Sequence, residues 1–226
     1  MITMIDATHA SASNIPATAP KVAGYVTGTK DIAWTPTDWL RFPHSGRVRI
    51  DQGYTWPPDP HSYDVIDVEN LAVTVAEVPA AVHNRIVNGI QWTTVYASDA
   101  PLAAVEAALI AAAAQYGHGW YWGHVDCWLA DWDLSEQEAV AKLGTLVHGL
   151  TCRAVQWASP RWNPGTLVPG STLTLRQANV DLSVTQNTWF QLRVPPPPAW
   201  TAQALELAGQ AETALAQLTA LLKAHQ

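Results

Sequence analysis

The sequence predicts an α/β chain folded as a reduced (β/α)8 barrel of the TIM type, followed by a proline spacer and a C-terminal α-helix. Three observations lead there. Eight short β-rich runs recur before residue 190, Ala-rich helical stretches separate several of them, and the composition changes abruptly after Val194. Strands alternating with helices favour a parallel sheet, and eight such strands in one domain favour closure into a barrel. The 226 residues are 48% hydrophobic and 14% charged, which excludes disorder for most of the chain and suits one large domain with a sizeable core. An open α/β sheet is the competing architecture, weakened by the lack of a Gly-rich phosphate loop.

The predicted strands are Ile2–Asp6, Val22–Thr27, Arg47–Asp51, Asp64–Glu69, Thr93–Ala97, Cys127–Asp131, Arg153–Trp157 and Asn179–Val184. Helical spacing follows the fourth, fifth and sixth of them, at Val75–Val87, Leu102–Ala114 and Ser135–Val147. Ser135 with Glu138 makes a capping box at the start of the last. The first three connections are rich in Pro, Gly and Ser, so full helices are not expected there, although Thr37–Phe42 has room for one turn. The barrel is thereby assigned to residues 1–194. Pro195–Pro198 opens a stiff linker over residues 195–200. Residues 201–226 form an Ala/Leu-rich helix with Ala208, Ala211, Leu215, Leu218 and Leu222 on one seam, about two heptads long. A helix of that length is marginal alone, so it either packs back on the barrel or self-associates, and the spacer favours self-association.

Composition narrows the partners. Twelve Lys and Arg against 19 Asp and Glu give a formal charge of −7, which repels nucleic acid and anionic membrane surfaces alike. No apolar run reaches the length of a membrane helix. Met1–Asp6 lacks a basic and apolar leader, so no secretory signal is expected. Cys127 and Cys152 are too few for a disulfide scaffold and are expected to be buried thiols. Twelve Trp beside two Phe point either to flat faces with a polar edge, as sugar sites and interfaces use, or to a Trp-rich core.

A parallel barrel carries its chemistry at the C-terminal ends of its strands. Asp6 ends the first run, Asp67 and Glu69 end the fourth, and Asp181 lies in the last. Residues two apart on a strand share a face, so Asp67 and Glu69 project together, while closure sets the eighth strand beside the first and Asp181 beside Asp6. Each acid alone is an ordinary turn or capping residue; four around one mouth cannot all ionise cheaply, so at least one holds its proton near neutrality. A raised acid beside an ionised carboxylate is the chemistry of glycosidic bond cleavage. Hard-cation loops are absent, so neither metal nor cofactor is expected. His118-Gly-Trp-Tyr-Trp-Gly-His124 falls on the opposite face without ligand spacing and reads as an interface patch.

Asp6, Asp67-Val-Glu69, Thr94-Val-Tyr-Ala-Ser98, Trp128-Leu-Ala-Asp-Trp132, Ala154-Val-Gln-Trp157 and Val180-Asp181-Leu182 follow in order. Over residues 1 to about 190 this series resembles the glycoside hydrolase family 25 lysozymes, and more closely the family-25-like barrels of actinobacteria and their phages. The resemblance implies an eight-stranded barrel and N-acetylmuramidase chemistry on peptidoglycan. It implies Glu69 as general acid, Asp67 as the group that orients the substrate N-acetyl and stabilises developing charge, and Asp6 and Asp181 as the rest of the cluster. Tyr96, Trp132 and Trp157 would line the sugar cleft. It also implies a chain made in the host cytoplasm and carried on the virion, among other virion proteins. The chain departs from the family in shorter connections, in Trp56-Pro-Pro-Asp-Pro60 after the third strand, and in Asp131-Trp-Asp133 after the sixth. Two functions follow: a virion-associated glycosidase, or a structural or glycan-binding virion protein that keeps the barrel. The tail helix is expected to make the protein a homo-oligomer, with a trimer preferred. Deleting residues 195–226 is expected to leave a monomeric barrel by light scattering; a truncated protein that keeps the full-length oligomeric state would place association on the barrel.

Overall fold

In a computed structural model that describes residues 1–53, 59–69, 73–187 and 189, the chain forms a closed eight-stranded β-barrel with a few helices. The linker, the tail helix and most of the Trp56–Pro60 segment lie outside the described residues. The elements are β1 (Ile2–Ala7), α1 (His9–Ala12), β2 (Lys21–Tyr25), α2 (Pro36–Leu40), β3 (Gly46–Asp51), β4 (Val65–Asp67), α3 (Val78–Val87), β5 (Thr93–Ser98), α4 (Asp99–Ala111) and α5 (Ala113–Tyr116). There follow β6 (Val125–Ala130), α6 (Glu136–Lys142), β7 (Leu146–Val147), β8 (Leu150–Ala158), α7 (Leu175–Ala178) and β9 (Asp181–Thr185). The ring runs β1-β2-β3-β4-β5-β6-β8-β9 and returns to β1.

The expectation of a wholly parallel barrel is corrected at its last strand. Strands β1 to β6 and β8 are parallel to their neighbours in turn, but β9 is antiparallel to both β8 and β1. The cause lies in the connection between β8 and β9. A parallel return needs a crossover, usually a helix, to carry the chain back to the far end. Residues 159–174 instead contain Pro160, Pro164, Gly165, Pro169 and Gly170, which break helices, and the only helix before β9 is the four-residue α7. The chain therefore stays at the end where β8 stopped and enters β9 from there. Asn14 Nδ2 donates to the Ala178 carbonyl at 2.7 Å and Asn179 Nδ2 to Ser11 Oγ at 2.8 Å, which ties this connection to the region of α1.

A second correction concerns the helix expected over Ser135–Val147. The Ser135/Glu138 capping box forms, but α6 stops at Lys142. Gly144 takes φ 83°, and β7 then pairs antiparallel with β8 outside the ring. His148 (φ 46°) and Gly149 (φ 78°) join them, both in the left-handed region that a two-residue hairpin of type I′ requires. The expected helical turn near Thr37 is α2, started by a capping box between Thr35 and Asp38.

Alternation along the strands separates three apolar clusters. Met4, Ala23, Val48, Ile50, Val65, Tyr96, Trp128, Ala130 and Ala154 fill the barrel, with Trp189. The opposite parity feeds two outer clusters, one beneath α3, α4 and α6 and one beneath α1, α2 and α7. Cys127 and Cys152 are buried in the former as free thiols. Among the described residues no helix is long and apolar enough to cross a membrane. One packing contact on the outer side tolerates no side chain: an added Cβ at Gly24 would lie 2.3 Å from Trp34 Cδ2, and the Trp34 indole is pinned by its bond to the Ala7 carbonyl at 2.7 Å. Gly24→Ala is expected to destabilise the barrel by about 1–3 kcal/mol in urea unfolding; an unchanged midpoint would show that Trp34 yields without cost.

Candidate functional site

The acids meet at the mouth formed by the C-terminal ends of the parallel strands. Asp6 and Asp67 occupy inward positions at the ends of β1 and β4, Asp6 being 4% exposed and Asp67 1%. Glu69 lies two residues beyond β4, on the same side as Asp67, while Val68 turns into the outer cluster. Asp181 lies beside Asp6 as closure of the ring leads one to expect, but it opens β9 instead of lying toward its end. Because β9 runs antiparallel, its beginning reaches the same mouth, directly opposite Asp6 in register.

Their surroundings resist full ionisation. Burial pushes Asp67 up to about 7; the nearby Glu69 charge adds to this, and a bond from Gln52 Nε2 at 3.3 Å offsets part of it. Burial also pushes Asp181 up to about 7, and holds Asp6 well above the usual carboxylate range. The two carboxyls hydrogen-bond one another. They titrate as a pair. Burial raises Glu69 too, and a bond with Tyr96 draws it partly back. Tyr96 Oη donates to Gln156 Oε1, and Gln156 in turn bonds Asp181, so one polar chain links Glu69 to the aspartate pair. Tyr25, also inward, is kept protonated by burial and by the four carboxyls.

Above the acids is a cleft of about 390 Å³, lined by Asp6, Glu69, Asp181, Tyr25, Tyr96, Gln156, Trp132, Arg161, Trp162 and Asn179 among others. A second cavity of about 550 Å³ shares Glu69, Trp132, Arg161 and Trp162 with it. Glu69 and the indoles therefore stand where the two meet. Trp132, two residues past β6, stacks on Trp162 with centroids 4.2 Å apart and planes 7° from parallel. Asp67 lines neither cavity and lies beneath the floor.

The expected cleft residues divide accordingly. Tyr96 and Trp132 are in place, but Trp157 is not. On β8 it is Ala154 and Gln156 that face inward; Trp157 points outward and packs against the two outer clusters. A Gln-Trp pair puts one residue on each face, and the polar one took the inner side because Tyr96 and Asp181 supply its hydrogen bonds. Tyr25, Gln156, Arg161 and Trp162 were not foreseen. Tyr25 and Gln156 had a signal in strand parity; Arg161 and Trp162 lie on a loop that carries none. Among the described residues no group of His, Cys, Asp or Glu is arranged to hold a metal ion.

The other end of the barrel is plugged. The Trp189 indole donates to Thr94 Oγ1 at 3.3 Å, and the buried Lys21 ammonium lies 5.3 Å from the ring, its pKa lowered to about 8 by burial. Of the expected interface patch beside it, Tyr121 is buried, Trp120 is half-buried with its indole bonded to the Leu109 carbonyl, and Trp122 stays 51% exposed.

Raised carboxyls fix a pH dependence. In the unfolded chain Asp67 and Asp181 ionise near pH 4, whereas in the fold they keep protons up to about pH 7. The folded state then binds more protons between those values, so its stability falls as pH rises through that window. The urea midpoint is expected to be higher at pH 5 than at pH 8, and Asp67→Asn to narrow the difference by stabilising the protein at pH 8; a midpoint that rises with pH would contradict the assignment. No known protein family, curated protein or solved structure matches this chain.

Proposed function

We propose that this protein is a lysozyme-like glycoside hydrolase of the N-acetylmuramidase type, acting on peptidoglycan and carried on a virion. The carrying observation is Glu69, a carboxyl with a raised pKa at the junction of two cavities, beside a stacked indole pair and above other acids. Sugar rings present apolar faces that suit the Trp132–Trp162 stack. On this reading the barrel is a reduced (β/α)8 type that keeps long helices only after its fourth and fifth strands.

Glu69, protonated, donates to the leaving glycosidic oxygen as the bond to the anomeric carbon breaks. Positive charge develops on the sugar, and the Asp6–Asp181 carboxyls face it across the cleft. Water then adds to the anomeric carbon and returns a proton to Glu69. Asp67 lies beneath the floor and lines neither cavity, so on this reading it does not touch sugar and supports the site from below. Residues 201–226 are read as the oligomerising or docking element.

Stacked aromatics on a cleft also suit a second reading, a glycan-binding virion protein without turnover. Release of reducing ends from purified peptidoglycan separates the two. Wild type is expected to release them, and Glu69→Gln to lose about 10²-fold or more while keeping its fold and its glycan binding. Full activity in that variant would refute the acid assignment; binding without release by either protein would transfer the conclusion to the second reading.

A further inference from the structure

The rim of the cleft carries a cation with no assigned work. After β8 the chain turns sharply at Ser159, which is buried. Its hydroxyl accepts the backbone N–H groups of Arg161 at 3.2 Å and Trp162 at 3.3 Å, and its carbonyl accepts that of Asn163 at 3.0 Å. Asn163 Nδ2 closes the turn on the Trp157 carbonyl at 2.9 Å. This fixed loop lays Trp162 flat against Trp132 and holds the Arg161 guanidinium 4.7 Å from the Trp162 ring centroid.

Among the described residues, Arg161 is the only Lys or Arg that lines either cavity. Among the described residues no carboxylate lies within ion-pair distance of it, and its side chain donates to no protein acceptor. Arg41, Arg47, Arg49, Arg85 and Arg153 all donate to protein groups. A guanidinium set over an aromatic ring keeps its N–H edge available, and that edge matches a carboxylate in bidentate fashion. A chain of net charge −7 with acids on the cleft floor repels anionic ligands in general. An unpaired cation fixed at the rim reverses that locally.

We infer that Arg161 forms a subsite for a carboxylate borne by the glycan, so that the ligand class is an acidic glycan whose ring lies on the Trp132–Trp162 stack. The inference rests on the glycan reading of the cleft and adds which glycans it selects. A neutral chain of the same length loses the Arg161 contact and still meets the indoles.

The test uses the full-length protein, with Glu69→Gln introduced into every protein compared, whether wild type or substituted at Arg161, so that ligand is bound and not cleaved, and two soluble tetrasaccharides: a neutral N-acetylglucosamine oligomer, and the peptide-free peptidoglycan backbone whose alternate sugars carry a lactyl carboxylate. Binding is followed by tryptophan fluorescence and calorimetry. Wild type is expected to bind the acidic oligomer about tenfold more tightly, the order that a bidentate charge-assisted pair supplies. The preference should shrink between about 0.05 M and about 0.5 M salt. Arg161→Gln should bind the two equally, with affinity for the neutral oligomer unchanged, and Arg161→Lys should restore part of the preference. Equal binding by wild type, or a preference that survives in Arg161→Gln, overturns the inference and leaves the glycan reading standing. No binding of either oligomer overturns both.

Discussion

Desolvation of carboxyl groups is the constraint on which the rest of this structure depends. Asp6, Asp67 and Asp181 are placed over a barrel interior of Met4, Ala23, Val48, Ile50 and Val65, with little water to hold a charge. Ionising them all there is costly, and the fold answers by leaving protons on them. A polar chain runs from Glu69 through Tyr96 and Gln156 to Asp181, while Asp67 Oδ1 is left buried without a hydrogen-bond partner. The same cost explains why the inner face of β8 carries Gln156 while Trp157 is turned outward.

That arrangement requires a sealed barrel. Water entering from below would solvate the acids and return them to ordinary behaviour. Trp189 closes the lower end, edge-on to Trp128, whose indole N–H is taken up by Ser183 Oγ at 3.1 Å. Asp126, below, accepts from Thr94 Oγ1 at 2.5 Å and pairs with Arg153 at 3.3 Å, so the charge there is matched. The upper end differs in kind: its charges are raised, shared and open to the cleft. One barrel thus has a closed structural end and an open chemical one.

Aromatic residues are distributed by the same logic. Trp34, Trp128 and Trp189 are buried and bonded through their indole N–H groups, so they belong to packing. Trp162 is 43% exposed, stacked on the half-buried Trp132 beside Glu69, and held there by a turn rather than by a strand. The abundance of Trp therefore has two causes, core and cleft, and the loop after β8 separates them.

From the sequence alone came the strand series, because each run of alternating residues is a local pattern that the pleat converts directly into an inner and an outer face. Asp6, Asp67 and Glu69 were legible for that reason: they stand at strand ends, and closure of a ring of parallel strands sends those ends to one mouth. Other features depend on how distant segments meet, and local pattern does not encode that. Closure also made Asp181 legible as the neighbour of Asp6, but the direction of β9 followed from a helix-poor connection that leaves the chain at the mouth, so that Asp181 meets Asp6 from the start of an antiparallel strand. The shift at β8 between Gln156 and Ala158, and the choice of Gln156 over Trp157 for the inside, were decided by partners on β5 and β9. Arg161 and Trp162 became part of the cleft only because Ser159 folds their loop back over Trp132, a contact between residues 30 apart that neither propensity nor spacing expresses.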